Sequence, residues 1–160
     1  MKRRQLWVYK TYKKFLDNPD DPKHAPPDIT LLHGTAGTGK TTVLDSILEY
    51  ADLKGHSTVQ TAFNAINAIH FKQGQTTASL IHLRGIDKTS LHGMNPTELK
   101  ALAELIVPAI LIIGDELSNL APWHLIKFSY TCQQALGVFD KPFGGKKVLF
   151  SGDLNQFGPV

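Results

Sequence analysis

The chain holds a single cysteine, Cys132, so no internal disulfide can form, and an intracellular, reducing compartment is the expected setting. No pattern of His or acidic residues surrounds that thiol, which reads as structural rather than nucleophilic. Long apolar runs are also missing, and none could span a bilayer or form the core of a signal peptide. Charge of either sign has little excess: 17 Lys and Arg against 14 Asp and Glu leave +3, so the chain is not strongly basic as a whole. No internal repeat occurs. What is present, 160 residues at 42% hydrophobic and 19% charged, suits one soluble globular domain with a substantial core. Lys2, Arg3, Arg4, Lys10, Lys13 and Lys14 gather near the start, as either a nucleic-acid footprint or the solvated face of a helix.

Hydrophobic periodicity divides the chain. Leu6, Trp7, Tyr9, Tyr12, Phe15 and Leu16 suggest an amphipathic helix over 5–16, ended by a rigid connector with Pro19, Pro22, Pro26 and Pro27. Residues 29–33 read as a buried strand, 42–50 as a helix with Val43, Leu44, Ile47 and Leu48 on one face, and 57–61 as a second strand. A short helix is expected over 63–71, while 72–95 shows no clear period. Pro96 opens a helix reaching Ile106, and the run Ile110 to Ile113 has the composition of a strand buried on both faces of a parallel sheet. A helix over 122–136, a break at Pro142-Phe143-Gly144-Gly145 and a strand over 147–151 complete the pattern. Strands alternating with helices imply an α/β, doubly wound parallel sheet with its ligand at the C-terminal strand edge.

Between the first strand and its helix stands Gly34-Thr35-Ala36-Gly37-Thr38-Gly39-Lys40-Thr41, a complete G-x-x-x-x-G-K-[ST] P-loop. A triphosphate must be wrapped closely by backbone N–H groups, which only small residues permit. Lys40 is placed to reach the β- and γ-phosphates and Thr41 to offer its hydroxyl to Mg²⁺, while Thr42 continues into a helix whose positive end faces the anion. The alternative, an ordinary Gly-rich turn before a helix, is disfavoured because the complete motif and its strand-to-helix context agree.

Loops after parallel strands converge, so Asp115-Glu116, following the apolar run, should face the P-loop. Asp115 suits Mg²⁺ alongside Thr41, and Glu116 suits orientation of an attacking water. Without the P-loop the pair would read as a surface cap. Gln156, in Gly152-Asp153-Leu154-Asn155-Gln156, carries an amide able to sense a γ-phosphate, although such a segment alone also makes a plain turn.

Taken in order, the P-loop, Asp115-Glu116-Leu117-Ser118, and Lys141-Pro142-Phe143-Gly144-Gly145 leading to Gly152-Asp153-x-x-Gln156-x-x-Pro159-Val160 resemble the PIF-type DNA helicases of superfamily one, with RecD as a more distant relative. The resemblance implies a P-loop NTPase lobe of RecA-like, three-layer αβα form over 29–160, preceded by a helix and Pro-rich connector over 1–28. It implies ATP and Mg²⁺ as cofactors, single-stranded DNA and duplex junctions as partners, 5′-to-3′ unwinding, and roles in repair, recombination and telomere maintenance, nuclear in a eukaryote. Gln156 then matches the phosphate sensor, and Gln5 an adenine-reading glutamine. The segment Thr61-Ala62-Phe63-Asn64-Ala65 matches a motif touching single-stranded DNA, where Phe63 either stacks on a base or is a core aromatic at a strand end.

Several residues depart from that pattern. Gly114 replaces an apolar residue and is expected to loosen its strand. Thr76-Thr77-Ala78-Ser79 lacks the His of a Thr-x-His contact, with His82 the candidate to take its place. The second RecA-like domain, which brings an arginine to the γ-phosphate, is expected to be missing, leaving ATP binding with feeble hydrolysis. A small-molecule kinase and a non-catalytic nucleotide-binding relic remain the alternatives.

Overall fold

The computed structural model describes residues 3–63, 65–72, 74–82, 94–117, 121–153 and 155. In chain order the elements are α1 (Arg3–Asp17), β1 (Ile29–His33), α2 (Lys40–Leu53), β2 (Thr58–Ala62), α3 (Ala65–His70), β3 (Gln75–Thr76), α4 (Thr77–Leu80), α5 (Pro96–Ile106), β4 (Leu111–Asp115), α6 (Pro122–Leu136), a 3₁₀ turn (Pro142–Gly145) and β5 (Lys147–Gly152). The strands form one five-stranded sheet in the order β1-β5-β4-β2-β3, with every pair parallel. This is the expected doubly wound α/β arrangement.

Helices cover both faces. On one, α1 contributes Val8, Tyr12, Phe15 and Leu16, spaced to form one stripe, and α2 contributes Val43, Leu44, Ile47, Leu48 and Ala51; together they enclose Leu111, Ile113 and Leu149 of the sheet. On the other, Leu102 and Ile106 of α5 and Phe128 and Cys132 of α6 pack on Val59, Ile112, Val148 and Phe150. The central β4 is apolar without alternation because Leu111, Ile112 and Ile113 are all fully buried between these layers. Burial also pushes the Cys132 thiol up to about 12, as befits a structural cysteine.

Local chemistry sets several boundaries. The Asn95 side chain accepts from Glu98 N at 2.9 Å while Glu98 Oε2 accepts from Asn95 N at 3.1 Å, a reciprocal cap that starts α5 with Pro96 in its first turn. In the Phe-Gly-Gly turn, Phe143 takes φ 51° and inserts its ring between Phe128 and Phe150, at 5.3 and 5.8 Å. Gly144, at φ 63°, has no room for a side chain, since a Cβ would lie 2.6 Å from Leu136 Cδ1. The break expected there is an anchoring turn.

Two expectations require correction. β1 is not a buried strand: it lies at the sheet edge among the described residues, none of its five residues is fully buried, and Ile29 and Leu31 remain 45% and 39% exposed. Their side chains line an apolar groove of about 490 Å³ beside Leu125, Tyr130, Phe143 and Phe150, because α6 does not extend over β1. Gly114 does not loosen β4 either. Its missing side chain is replaced by the ring of Phe150 from β5, which a Cβ would approach within 2.6 Å.

β3 and α4, within the stretch that shows no sequence period, form around Thr77. Its buried hydroxyl lies 2.9 Å from Thr61 Oγ1 and donates to Ala62 O at 3.3 Å, while Thr76 caps α4 by accepting from Ser79 N. His82 Nδ1 lies 3.5 Å from Glu98 Oε1, linking this region to α5.

Candidate functional site

The P-loop begins where β1 ends, and Gly34 N donates to Gly152 O at 3.2 Å, which joins it to the end of β5. Gly37 and Gly39 have φ 72° and 80°, left-handed values that turn the loop around its own centre. Thr38 Oγ1 donates to Thr35 O at 2.8 Å and braces the turn. Lys40 leads into α2 and directs its ammonium back over the loop, donating to Gly34 O at 2.6 Å and Thr35 O at 3.1 Å. Gly39 caps α2 without any side-chain hydrogen bond, so the first-turn N–H groups, including those of Thr41 and Thr42, open toward the loop. Ala36 and Gly37 are exposed at its rim.

Parallel register brings β4 to the same edge. Asp115 is buried, and its Oδ2 accepts from Thr41 Oγ1 at 3.4 Å. Its Oδ1 accepts from the Ser151 hydroxyl and, at 2.9 Å, from Glu116 N. Glu116 has φ 59°, an uncommon conformation for a residue other than glycine, and one that concentrates at functional sites. The first turn of α2, strand β5 and the residue after β4 thus meet at one carboxylate. Ser151, which sequence reasoning missed, positions it from β5, and its place in a plain strand run gave no signal.

A cleft of about 710 Å³ opens beside the P-loop, between α1 and β1. Gln5 reaches into this region and donates from Nε2 to Thr38 O; a Cβ on Gly39 would lie 3.2 Å from the same nitrogen. Arg3, Arg4, Trp7, His33 and Lys40 also line the cleft. The basic cluster therefore divides: Arg3 and Arg4 face the cleft, whereas Lys13 bonds Asp17 and Tyr50 on α2's side of the helix.

Phe63 follows β2 and is 37% exposed, and its N–H donates to Asp115 O at 3.3 Å. It is not part of either core. Across from it, Trp123 and His124 in the first turn of α6 stack at 3.7 Å, and burial lowers the His124 pKa. Asn64 and Gln156, both expected in the site, lie outside the described residues.

The oxygen donors Thr41 and Asp115 form a hard pair of the kind Mg²⁺ prefers, and the glycine turn with its lysine suits a polyphosphate. Among the described residues no helix is long and apolar enough to cross a membrane.

The family model for PIF1-like helicases matches residues 16–160. Among curated proteins, the chain is 31% identical over 130 residues to the ATP-dependent DNA helicase Pif1 of Psychrobacter sp., covering 81% of the chain and 19% of that protein. It is 34% identical over 134 residues to the ATP-dependent DNA helicase PIF7 of Trypanosoma brucei brucei, covering 81% of the chain and 13% of that protein. The crystal structure of Bacteroides Pif1 bound to single-stranded DNA superimposes with a TM-score of 0.70 at 27% identity, over 94% of this chain and 33% of that one. The chain therefore spans less than a fifth of these curated relatives and a third of the solved chain.

Proposed function

We propose, since this chain belongs to the PIF1-like helicase family, that it is the ATP-binding motor lobe of a 5′-to-3′ DNA helicase. The observation that carries this reading is the meeting of Thr41, Asp115 and Ser151, which joins the P-loop, the tandem acids and the end of β5 in one site. A P-loop nucleotide-binding turn alone would not need that convergence.

In this reading Lys40 exchanges the loop carbonyls of Gly34 and Thr35 for β- and γ-phosphate oxygens, and the backbone N–H groups from Gly34 to Thr42 line the phosphates. Thr41 and Asp115 would hold Mg²⁺, which would supply positive charge to offset that of the phosphates. Ser151 and the Glu116 N–H fix the Asp115 carboxylate so that one oxygen remains directed at Thr41. Glu116, turned by its left-handed backbone, orients the water and takes its proton. Gln5 reads the adenine from the α1 side of the cleft, and Gln156 senses the γ-phosphate. Phe63 and Asn64 touch single-stranded DNA, with duplex junctions as the larger substrate.

Nucleotide titration and ATPase assays test these roles. Lys40→Ala should weaken ATP binding at least tenfold, a loss suited to a charge-assisted phosphate contact. Glu116→Gln should retain binding and reduce turnover by roughly 10² or more. ATP binding unchanged by Lys40→Ala would remove the basis of the proposal.

A further inference from the structure

Three aromatic rings meet at the C-terminal edge of the sheet without entering its cores. Phe63 comes from the end of β2, and Trp123 and His124 come from the first turn of α6. The His124 ring lies against Trp123, with 26° between their planes, and meets Phe63 edge-on at 6.4 Å and 76°. His124 thus acts as a spacer between two larger aromatic faces that retain contact with solvent. A hydrophobic staple alone would bury those faces.

Position adds to the ring geometry. Phe63 is tied through its N–H to Asp115 O, so the cluster borders the acids of the nucleotide site. Lys127 lies four residues after Trp123, on the same side of α6 and about 6 Å farther along the axis. That places a cation at a reach comparable to the distance between a base and its own phosphate. Aromatic faces take any base, and a lysine beside them takes the backbone charge.

The geometry points to a base-stacking platform for single-stranded DNA, in which Phe63 and Trp123 receive bases, His124 holds the two apart and Lys127 meets a phosphate. It rests on the motor-lobe reading above and extends the DNA contact beyond the β2 end to α6. The platform predicts that α6, directly downstream of the catalytic acids, grips the strand.

Binding of fluorescein-labelled oligo(dT), measured by anisotropy with intrinsic tryptophan fluorescence in parallel, tests the platform. Trp123→Ala should weaken oligo(dT) binding roughly tenfold, whereas Trp123→Phe should keep the affinity within about twofold. The oligo(dT)-induced quench of the parent should be lost in Trp123→Phe. An abasic oligonucleotide, which keeps the phosphates but has no bases, should bind the parent and Trp123→Ala alike. Nucleotide binding confirms that each variant is folded, and Trp123→Phe decides the matter if the alanine variant is not. Equal oligo(dT) affinity in the parent and Trp123→Ala, with the quench retained in Trp123→Phe, would overturn the platform and leave the motor-lobe reading intact. No oligo(dT) binding by the parent, alongside normal ATP binding, would overturn the platform and leave the ATP-binding role of the lobe intact.

Discussion

At Gly114 the sequence and the structure give opposite meanings to one residue. A glycine in a strand reads as a weak point, because the partner that fills its space comes from another strand and leaves no local trace. With Phe150 in place, even one methyl group collides with a stiff ring. Gly114→Ala should therefore destabilise the fold by about 1–3 kcal/mol, through overpacking rather than lost strand propensity. Chemical denaturation of Gly114→Ala against Gly114→Ala/Phe150→Leu checks this, since the second change should recover much of the loss. The P-loop and the tandem acids, by contrast, were legible because their chemistry needs fixed residue types at fixed spacing. Ser151 was not, because its role comes from a neighbouring strand and a serine in a strand is ordinary.

Among the elements, helices carrying their own signals were the most readable. Pro96 and the apolar residues Leu99, Leu102, Leu105 and Ile106 marked α5, although of these only Leu102 and Ile106 are buried and Leu105 stays exposed, and the Asn95-Glu98 cap explains the sharp start. β3 and α4 escaped reading because they are short and depend on the tertiary Thr77-Thr61 contact. The docking of α1 on α2 has a polar component as well. Asp17 accepts from Lys54 at 2.7 Å and from the Tyr50 hydroxyl at 2.6 Å, with Lys13 at 3.3 Å. These hydrogen bonds, Lys54 foremost, hold its carboxyl well below the usual carboxylate range. A carboxyl more acidic when folded stabilises above its unfolded value of about 4, and that stabilisation fades as pH falls below it toward the folded value. Asp17→Asn should lower Tm at neutral pH, with the difference from the parent shrinking on acidification and in high salt, because the cluster is solvent-accessible. Thermal melts across pH and salt measure both trends.

For the whole molecule, alternation of strands and helices revealed a parallel sheet but not its order. Periodicity carries no information on which strands become neighbours, so the edge position of β1 had to come from tertiary structure. Relatives such as the Psychrobacter helicase are much longer, with this chain covering 19% of the protein. On the family reading, the 160 residues should bind ATP and turn it over slowly, since an arginine supplied from elsewhere typically contributes ~10³ to 10⁵ in rate. Single-turnover ATPase and forked-duplex assays should show slow hydrolysis and no strand separation, against activity from a protein of the relatives' length. Rapid unwinding by the 160-residue chain would contradict this.

The uncovered side of β1 also determines how the chain behaves in a tube. Ile29 and Leu31 present apolar side chains beside a strand edge whose hydrogen-bonding groups have no strand partner among the described residues. Two molecules meeting there can each satisfy the other, so light scattering should rise with protein concentration well before heat unfolds the domain. Ile29→Lys should suppress that rise while leaving ATP affinity within about twofold, since a charged edge disfavours strand addition and Ile29 does not line the cleft beside the P-loop. The strand at that edge performs no chemistry itself, although the P-loop begins at its next residue.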